Sequence, residues 1–113
     1  MSARREASLW LTQRVTAAVL ALCVVVHLAT IIYAVRGGLT AMEILGRTRG
    51  SVLWGTFYTV FVIAAALHGA IGFRAVAAEW LRWRGPSAEL AMTVIGVVLA
   101  MTGLRAVVAV IAT

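Results

Sequence analysis

Three long apolar stretches dominate the sequence and restrict the classes of fold it can adopt. They run from Val15 to Val35, from Gly50 to Phe73 and from Leu90 to the C-terminal end, where only Arg105 interrupts the last stretch. A helix needs about 20 mostly apolar residues to cross roughly 30 Å of hydrocarbon. Each stretch meets that length, so the sequence predicts an all-α protein with three transmembrane helices.

The composition agrees with a membrane protein. Of the 113 residues, 63% are hydrophobic and 12% are charged, whereas soluble domains average roughly 45–50% apolar and about 25% charged residues. High apolarity with low charge also excludes an intrinsically disordered chain. We expect a single membrane domain over residues 1–113, with helices at about 10–35, 51–80 and 88–112.

The charged residues predict the orientation of the helices. All ten basic residues are Arg and all four acidic residues are Glu, which gives a net charge of +6. Except for Arg105, they lie outside the three apolar stretches, whereas a nucleic-acid-binding protein gathers its basic residues on a solvated face. The N-terminus and the loop after the second stretch share one side, which holds Arg4, Arg5, Arg14, Arg74, Arg82 and Arg84; the other side holds Arg36, Arg47, Arg49 and Arg105. Six against four favours a cytoplasmic N-terminus in a multi-pass protein of the inner (cytoplasmic) membrane.

The chemistry available at membrane depth is limited to two histidines, His27 and His68. No carboxylate lies deep in a stretch, which argues against a proton-coupled transporter. An imidazole in lipid needs a partner, either a metal or haem iron or an interhelical hydrogen bond. Gly72 follows His68 by one turn on nearly the same helix face. Such small residues suit both the approach of a flat macrocycle and plain helix packing, so both interpretations of His68 stay open.

The two histidines are predicted to lie at different depths. From the rise of about 1.5 Å per residue, their levels differ by about 10 Å. The axial ligands of one haem must lie at a similar height, so His68, as a ligand, takes its partner from another chain. His27 is then either a packing residue or the ligand of a second haem.

Several polar side chains are expected at one membrane interface, near the ends of the first two helices. They can bind quinone carbonyl oxygens or haem propionates, or they can form an ordinary interfacial rim. The candidates are Ser8, Thr12, Gln13, Arg14, Thr16, Arg74, Glu79 and Trp80.

Three short segments resemble a known family. The runs Gln13–Ala17 and His68–Phe73, followed by Glu79–Trp80, are similar to the membrane-anchor (cytochrome b) subunits of succinate dehydrogenase and fumarate reductase. The family has an Arg followed by Thr-Ala near the first helix, and a His on the second helix followed four residues later by Gly. The resemblance covers nearly the whole chain.

The resemblance implies a set of partners and cofactors. Members pair with a second three-helix anchor subunit in a helical bundle, where each subunit can supply one axial His to haem b. An iron–sulfur subunit and a flavoprotein subunit bind on the cytoplasmic face. His68 matches the haem ligand, and His27 matches the ligand of a second haem in two-haem members; Gly72, Arg14 and Arg74 are the other candidate cofactor contacts.

The resemblance also implies a quinone site, with Ser8, Arg14, Glu79 and Trp80 as candidate contacts. The family often has Asp-Tyr where this chain has Glu79–Trp80. The Trp80 indole can donate a hydrogen bond but cannot accept one.

The expected function is therefore that of a haem b-containing membrane anchor that passes electrons between an iron–sulfur subunit and membrane quinone. The chain is expected to be a non-catalytic subunit of an oxidoreductase complex. Two alternatives stay open. One is a haem-free structural anchor of the same complex, and the other is a small transporter or regulatory membrane protein.

Overall fold

A computed structural model describes residues 2–112, and this range is all-helical apart from its connections. The helices are α1 (Ala3–Arg36), α2 (Ala41–Thr48), α3 (Val52–Trp80) and α4 (Pro86–Ile111). Three of them, α1, α3 and α4, are long and apolar enough to cross a membrane. The predicted all-α fold with three transmembrane helices is confirmed. Residues 1 and 113 of the expected domain lie outside the described range.

The start of helix α1 is set by a local sequence signal. Helix α1 begins at Ala3, well before the expected start near residue 10, because the Ser2 hydroxyl caps it by accepting the Arg5 backbone N–H at 3.2 Å. Glu6 in the first turn is favourable at the positive end of the helix dipole. With 34 residues, α1 is about 50 Å long, so its polar first turns extend beyond the apolar stretch.

Helix α2 lies in the glycine-rich segment between the first two predicted membrane helices, where the sequence predicts no helix. Thr40 and Glu43 form a reciprocal capping box at its start. The backbone N–H of Thr40, and then its hydroxyl, donate to the Glu43 carboxylate and hold the pKa of Glu43 below its usual value. At its other end, the Thr48 hydroxyl donates to the Val110 carbonyl at 2.7 Å. Helix α2 is thereby fastened to the end of α4.

Helix α3 lies between α1 and α4 and packs on both. Its contact with α4 is made by small residues. A Cβ built on Gly96 would lie 3.2 Å from the Ala70 Cβ, and one built on Gly103 would lie 2.5 Å from Val62 Cγ1. Apolar burial gives little drive between helices in lipid, so close contact of this kind is what holds such helices together.

The outer surface of the bundle is apolar. In α1 only Thr16 and Cys23 are buried, and none of the large side chains within residues 2–112 is fully buried. Exposed apolar faces are what a chain needs to contact lipid or other membrane helices.

Candidate functional site

Two polar side chains meet inside the contact between α1 and α3. Oγ1 of Thr16 lies 3.3 Å from Nδ1 of His68. Thr16 is buried, at 6% exposed, and His68 is half-buried. The other ring nitrogen of His68, Nε2, has no hydrogen-bond partner among residues 2–112. His68 is thus held at one nitrogen and is free at the other.

The Thr16 hydroxyl also contacts its own helix. Its oxygen lies 2.8 Å from the Thr12 carbonyl oxygen and 3.1 Å from that of Gln13. A threonine hydroxyl in a helix commonly donates to a carbonyl one turn earlier. Thr16 therefore connects the backbone of α1 to the ring of His68.

The glycines near His68 are covered by side chains of the same chain. Gly72 lies on the same face of α3 as His68, as expected; this face contacts α1, and a Cβ on Gly72 would meet Nε2 of Gln13 at 3.4 Å. Gly69 lies on the α4 side, where a Cβ would meet Leu99 at 3.0 Å. The surface beside these glycines is thus occupied by Gln13 and Leu99, so a macrocycle bound at His68 would lie elsewhere around the ring.

Gln13 has an unsatisfied polar atom. Its Oε1 is buried and is the one buried side-chain oxygen or nitrogen without a hydrogen-bond partner in the part of the chain that the structure describes. Such a group costs free energy unless a ligand or water satisfies it. The surroundings of His68 therefore include a second polar group with unused hydrogen-bonding capacity.

His27 lies in a different setting, against aromatic residues of α3. Its Nδ1 is 3.3 Å from the Tyr58 hydroxyl, and its ring meets those of Tyr58 and Phe61 edge-on, with centroids 5.7 and 5.6 Å away. Trp54 and Phe57 extend this aromatic cluster. These contacts give the His27 ring a hydrogen-bond partner and aromatic packing, as expected for a histidine packed between helices.

The two histidines are well separated along the bundle. His27 contacts α3 at Tyr58, ten residues before His68 on the same helix. Ten residues of α-helix rise about 15 Å, a larger separation than the 10 Å expected from the sequence. The two rings therefore occupy separate levels. No group of three or more His, Cys, Asp or Glu side chains within residues 2–112 is arranged to hold a bare metal ion.

A network of ion pairs connects the helices at one end of the bundle. We call this end, formed by the start of α1, the end of α3 and the start of α4, the N-terminal end. Arg74 on α3 binds Glu89 on α4 through Nε at 2.8 Å and Glu6 on α1 through a terminal nitrogen at 2.6 Å. Arg5 also binds Glu89, at 2.9 Å. The guanidinium of Arg74, a candidate cofactor contact, is thus engaged by two carboxylates.

A cleft of about 880 Å³ opens at the N-terminal end. The charged network and the rings of Trp10 and Trp83 line it, together with Glu79. Arg14 lies beside the cleft, because its guanidinium carbon is 5.2 Å from the ring centroid of Trp10, which lines the cleft.

The other candidate quinone contacts lie away from the cleft lining. Ser8 is exposed on α1, and Trp80, 80% exposed, is at the end of α3. The structure thus places Glu79 in the cleft and Arg14 beside it, and it leaves Ser8 and Trp80 on the outer surface.

Sequence reasoning missed the partners of both histidines and the charged network. The sequence places Thr16 only among the interfacial polar residues, and it assigns no role to Tyr58, whereas the structure pairs Thr16 with His68 and Tyr58 with His27. A signal for both pairs exists. In an antiparallel pair of helices, contacting residue numbers have a nearly constant sum, and 16 with 68 and 27 with 58 give 84 and 85. The network joins Arg74 to carboxylates 15 and 68 positions away in the sequence, and Arg5 to Glu89, 84 positions away.

Comparison with protein families gives a match over nearly the whole chain. The family model described as succinate dehydrogenase/fumarate reductase transmembrane subunit matches residues 1–111. The searches of curated proteins and of solved structures found no match. This family match covers nearly the whole chain, and a transmembrane subunit agrees with the three long apolar helices. The chain therefore belongs to the family of succinate dehydrogenase/fumarate reductase transmembrane subunits.

Proposed function

We propose that this membrane anchor binds haem b through Nε2 of His68 and passes electrons between an iron–sulfur subunit and membrane quinone. The observation that carries the proposal is the state of His68. Its Nδ1 is engaged by Thr16, while Nε2 has no partner within residues 2–112. A neutral imidazole with one nitrogen engaged and the other free suits an axial ligand of haem iron.

The second axial ligand comes from another chain in this proposal. The sequence has only two histidines: His68 is on α3, and His27 on α1 contacts α3 at Tyr58, about 15 Å away along that helix. One iron cannot bind both. A second three-helix anchor subunit is the proposed source, and the exposed apolar faces of α1 and α4 offer room for its helices.

A bound haem would supply one-electron chemistry, and His68 would hold it against α3. The packing of α1 on α3 keeps water from the Thr16 side of the His68 ring. Gln13 has a buried oxygen that a bound group or water can satisfy. His27 is proposed as a packing residue of the aromatic cluster, since Tyr58 and Phe61 enclose its ring.

The N-terminal end is proposed to face the cytoplasm and the soluble subunits. Its Arg residues outnumber those at the other end of the bundle, and exposed members include Arg4, Arg82 and Arg84. Positive charge on the cytoplasmic side favours this orientation. Beside this end, the cleft with Trp10, Trp83 and Glu79 is the proposed quinone entrance, with Arg14 as a donor to a quinone carbonyl.

The redox state of the haem, followed by its b-type absorption band, tests the proposal. In the purified complex, succinate or fumarate at one end and a quinone analogue at the other are expected to change the haem redox state. The His27→Phe complex, which keeps the aromatic packing, serves as a matched control and should behave like the wild type. A complex with no b-type band would show a haem-free structural anchor. A band that no substrate or quinone changes would exclude haem from the electron path.

A further inference from the structure

We infer that Thr16 is a positioning residue for His68: its hydroxyl sets which ring nitrogen carries the proton and fixes the plane of the ring. The inference rests on the proposed haem ligation by His68. It adds a residue on α1 that controls the ligand on α3 without touching the iron.

The direction of the hydrogen bond between Thr16 and His68 follows from the single proton of the Thr16 hydroxyl. A hydroxyl has one proton to donate and two lone pairs with which to accept. The shortest contact of Oγ1, 2.8 Å, is to the Thr12 carbonyl, which can only accept. The proton of Thr16 is therefore directed to its own helix. Towards His68, at 3.3 Å, the oxygen acts as the acceptor, so Nδ1 of His68 carries the ring proton.

The surroundings leave little alternative to this arrangement. Thr16 is 6% exposed, so water has almost no access to its hydroxyl. His68 makes no other side-chain hydrogen bond to any residue that the structure describes. The hydroxyl is therefore the group that decides between the two neutral forms of the ring.

The consequence concerns Nε2. With the proton on Nδ1, Nε2 has a lone pair and can bind iron. Partners of the outer ring nitrogen orient a metal-bound histidine and increase its basicity. A more basic ligand favours ferric over ferrous haem, so the Thr16 contact should lower the midpoint potential. Loss of the acceptor should raise it.

The test compares Thr16→Val, Thr16→Ser and Thr12→Val in the purified complex. Thr12→Val is the matched control: Thr12 lies one turn earlier on α1, and its hydroxyl also donates to a carbonyl, that of Ser8, but contacts no histidine. The readouts are haem midpoint potential, the low-spin haem EPR g values, which follow ligand orientation, and haem transfer to excess apomyoglobin.

For Thr16→Val we expect a more positive potential, altered g values and roughly 10- to 100-fold weaker haem retention, the range found for loss of such partners. Thr16→Ser and Thr12→Val should stay near the wild type. If Thr16→Val loses haem entirely while Thr16→Ser retains it, the hydroxyl is again identified as the determinant.

Three results would overturn the inference: Thr16→Val identical to the wild type in all readouts, equal shifts in Thr16→Val and Thr12→Val, or loss of haem in both Thr16 variants. These are distinct from failure of the proposed function, which would appear as a wild-type complex without haem.

Discussion

Arg74 and Glu89 form an ion pair that joins α3 to α4, with Nε and Oε1 2.8 Å apart. Their side chains are 21% and 22% exposed, so solvent screens the pair only in part. Glu89 also binds Arg5 on α1 at 2.9 Å. This one carboxylate therefore connects all three membrane-spanning helices at the N-terminal end.

Glu89→Gln is expected to destabilise the bundle by about 1–2 kcal/mol, because charge-assisted hydrogen bonds from two arginines are weakened together. Glu79→Gln is the matched control, since Glu79 lies at the same end and has no ion-pair partner within the described range. Unfolding in mixed detergent micelles measures both. Equal destabilisation by the two substitutions would show that the network contributes nothing specific.

Gly103→Ala is expected to destabilise the contact between α3 and α4. The added Cβ would lie 2.5 Å from Cγ1 and 2.9 Å from Cγ2 of Val62, a β-branched side chain with little rotamer freedom. Overpacking of this kind costs about 1–3 kcal/mol. Thermal unfolding of the detergent-solubilised complex measures it.

Gly46→Ala is the control for that experiment. Gly46 lies within α2, and a Cβ there would have no atom within 4 Å. This substitution should be neutral or stabilise by about 0.5–1 kcal/mol, the helix preference of Ala over Gly. A Gly103→Ala protein as stable as the wild type would contradict the close packing of the two helices.

His27→Phe is expected to leave the amount of haem per flavin unchanged. Phe keeps the edge-on contacts with Tyr58 and Phe61, and only the hydrogen bond between the imidazole and the Tyr58 hydroxyl is lost, at about 1 kcal/mol. The haem content of the purified complex, determined as the pyridine haemochrome, measures this. A drop to about half the wild-type content would instead assign His27 to a second haem.

Arg14→Leu is expected to slow quinone reduction roughly tenfold, the effect of losing about 1.5 kcal/mol of a charged hydrogen bond. Electron transfer from succinate to a soluble acceptor should change little, because it bypasses the quinone site. Arg4→Leu is the control, since Arg4 is exposed at the same end and does not line the cleft. Equal losses in both assays would mean that Arg14 serves assembly.

The sequence predicts the membrane helices well and their partners poorly. Hydropathy alone locates α1, α3 and α4, because crossing hydrocarbon demands long apolar segments. Helix α2 was missed, although Thr40 and Glu43 have the spacing of a capping box. Its glycine-rich surroundings masked a helix of only eight residues.

The candidate site shows the same limit. The spacing of His68 and Gly72 correctly places both on one face of α3, but it does not reveal that Gln13 covers the glycine. The pairing of Arg74 with Glu6 joins residues 68 positions apart. Contacts between helices depend on their relative rotation and depth, which the periodicity of a single helix does not contain.

Haem bound per flavin in the wild-type and His68→Ala complexes measures the proposed ligation of haem by His68. From this ligation we expect a b-type haem in the wild type that is lost or greatly reduced in His68→Ala, while the flavoprotein still co-purifies. A wild-type complex without haem, or a His68→Ala complex with undiminished haem per flavin, would contradict it.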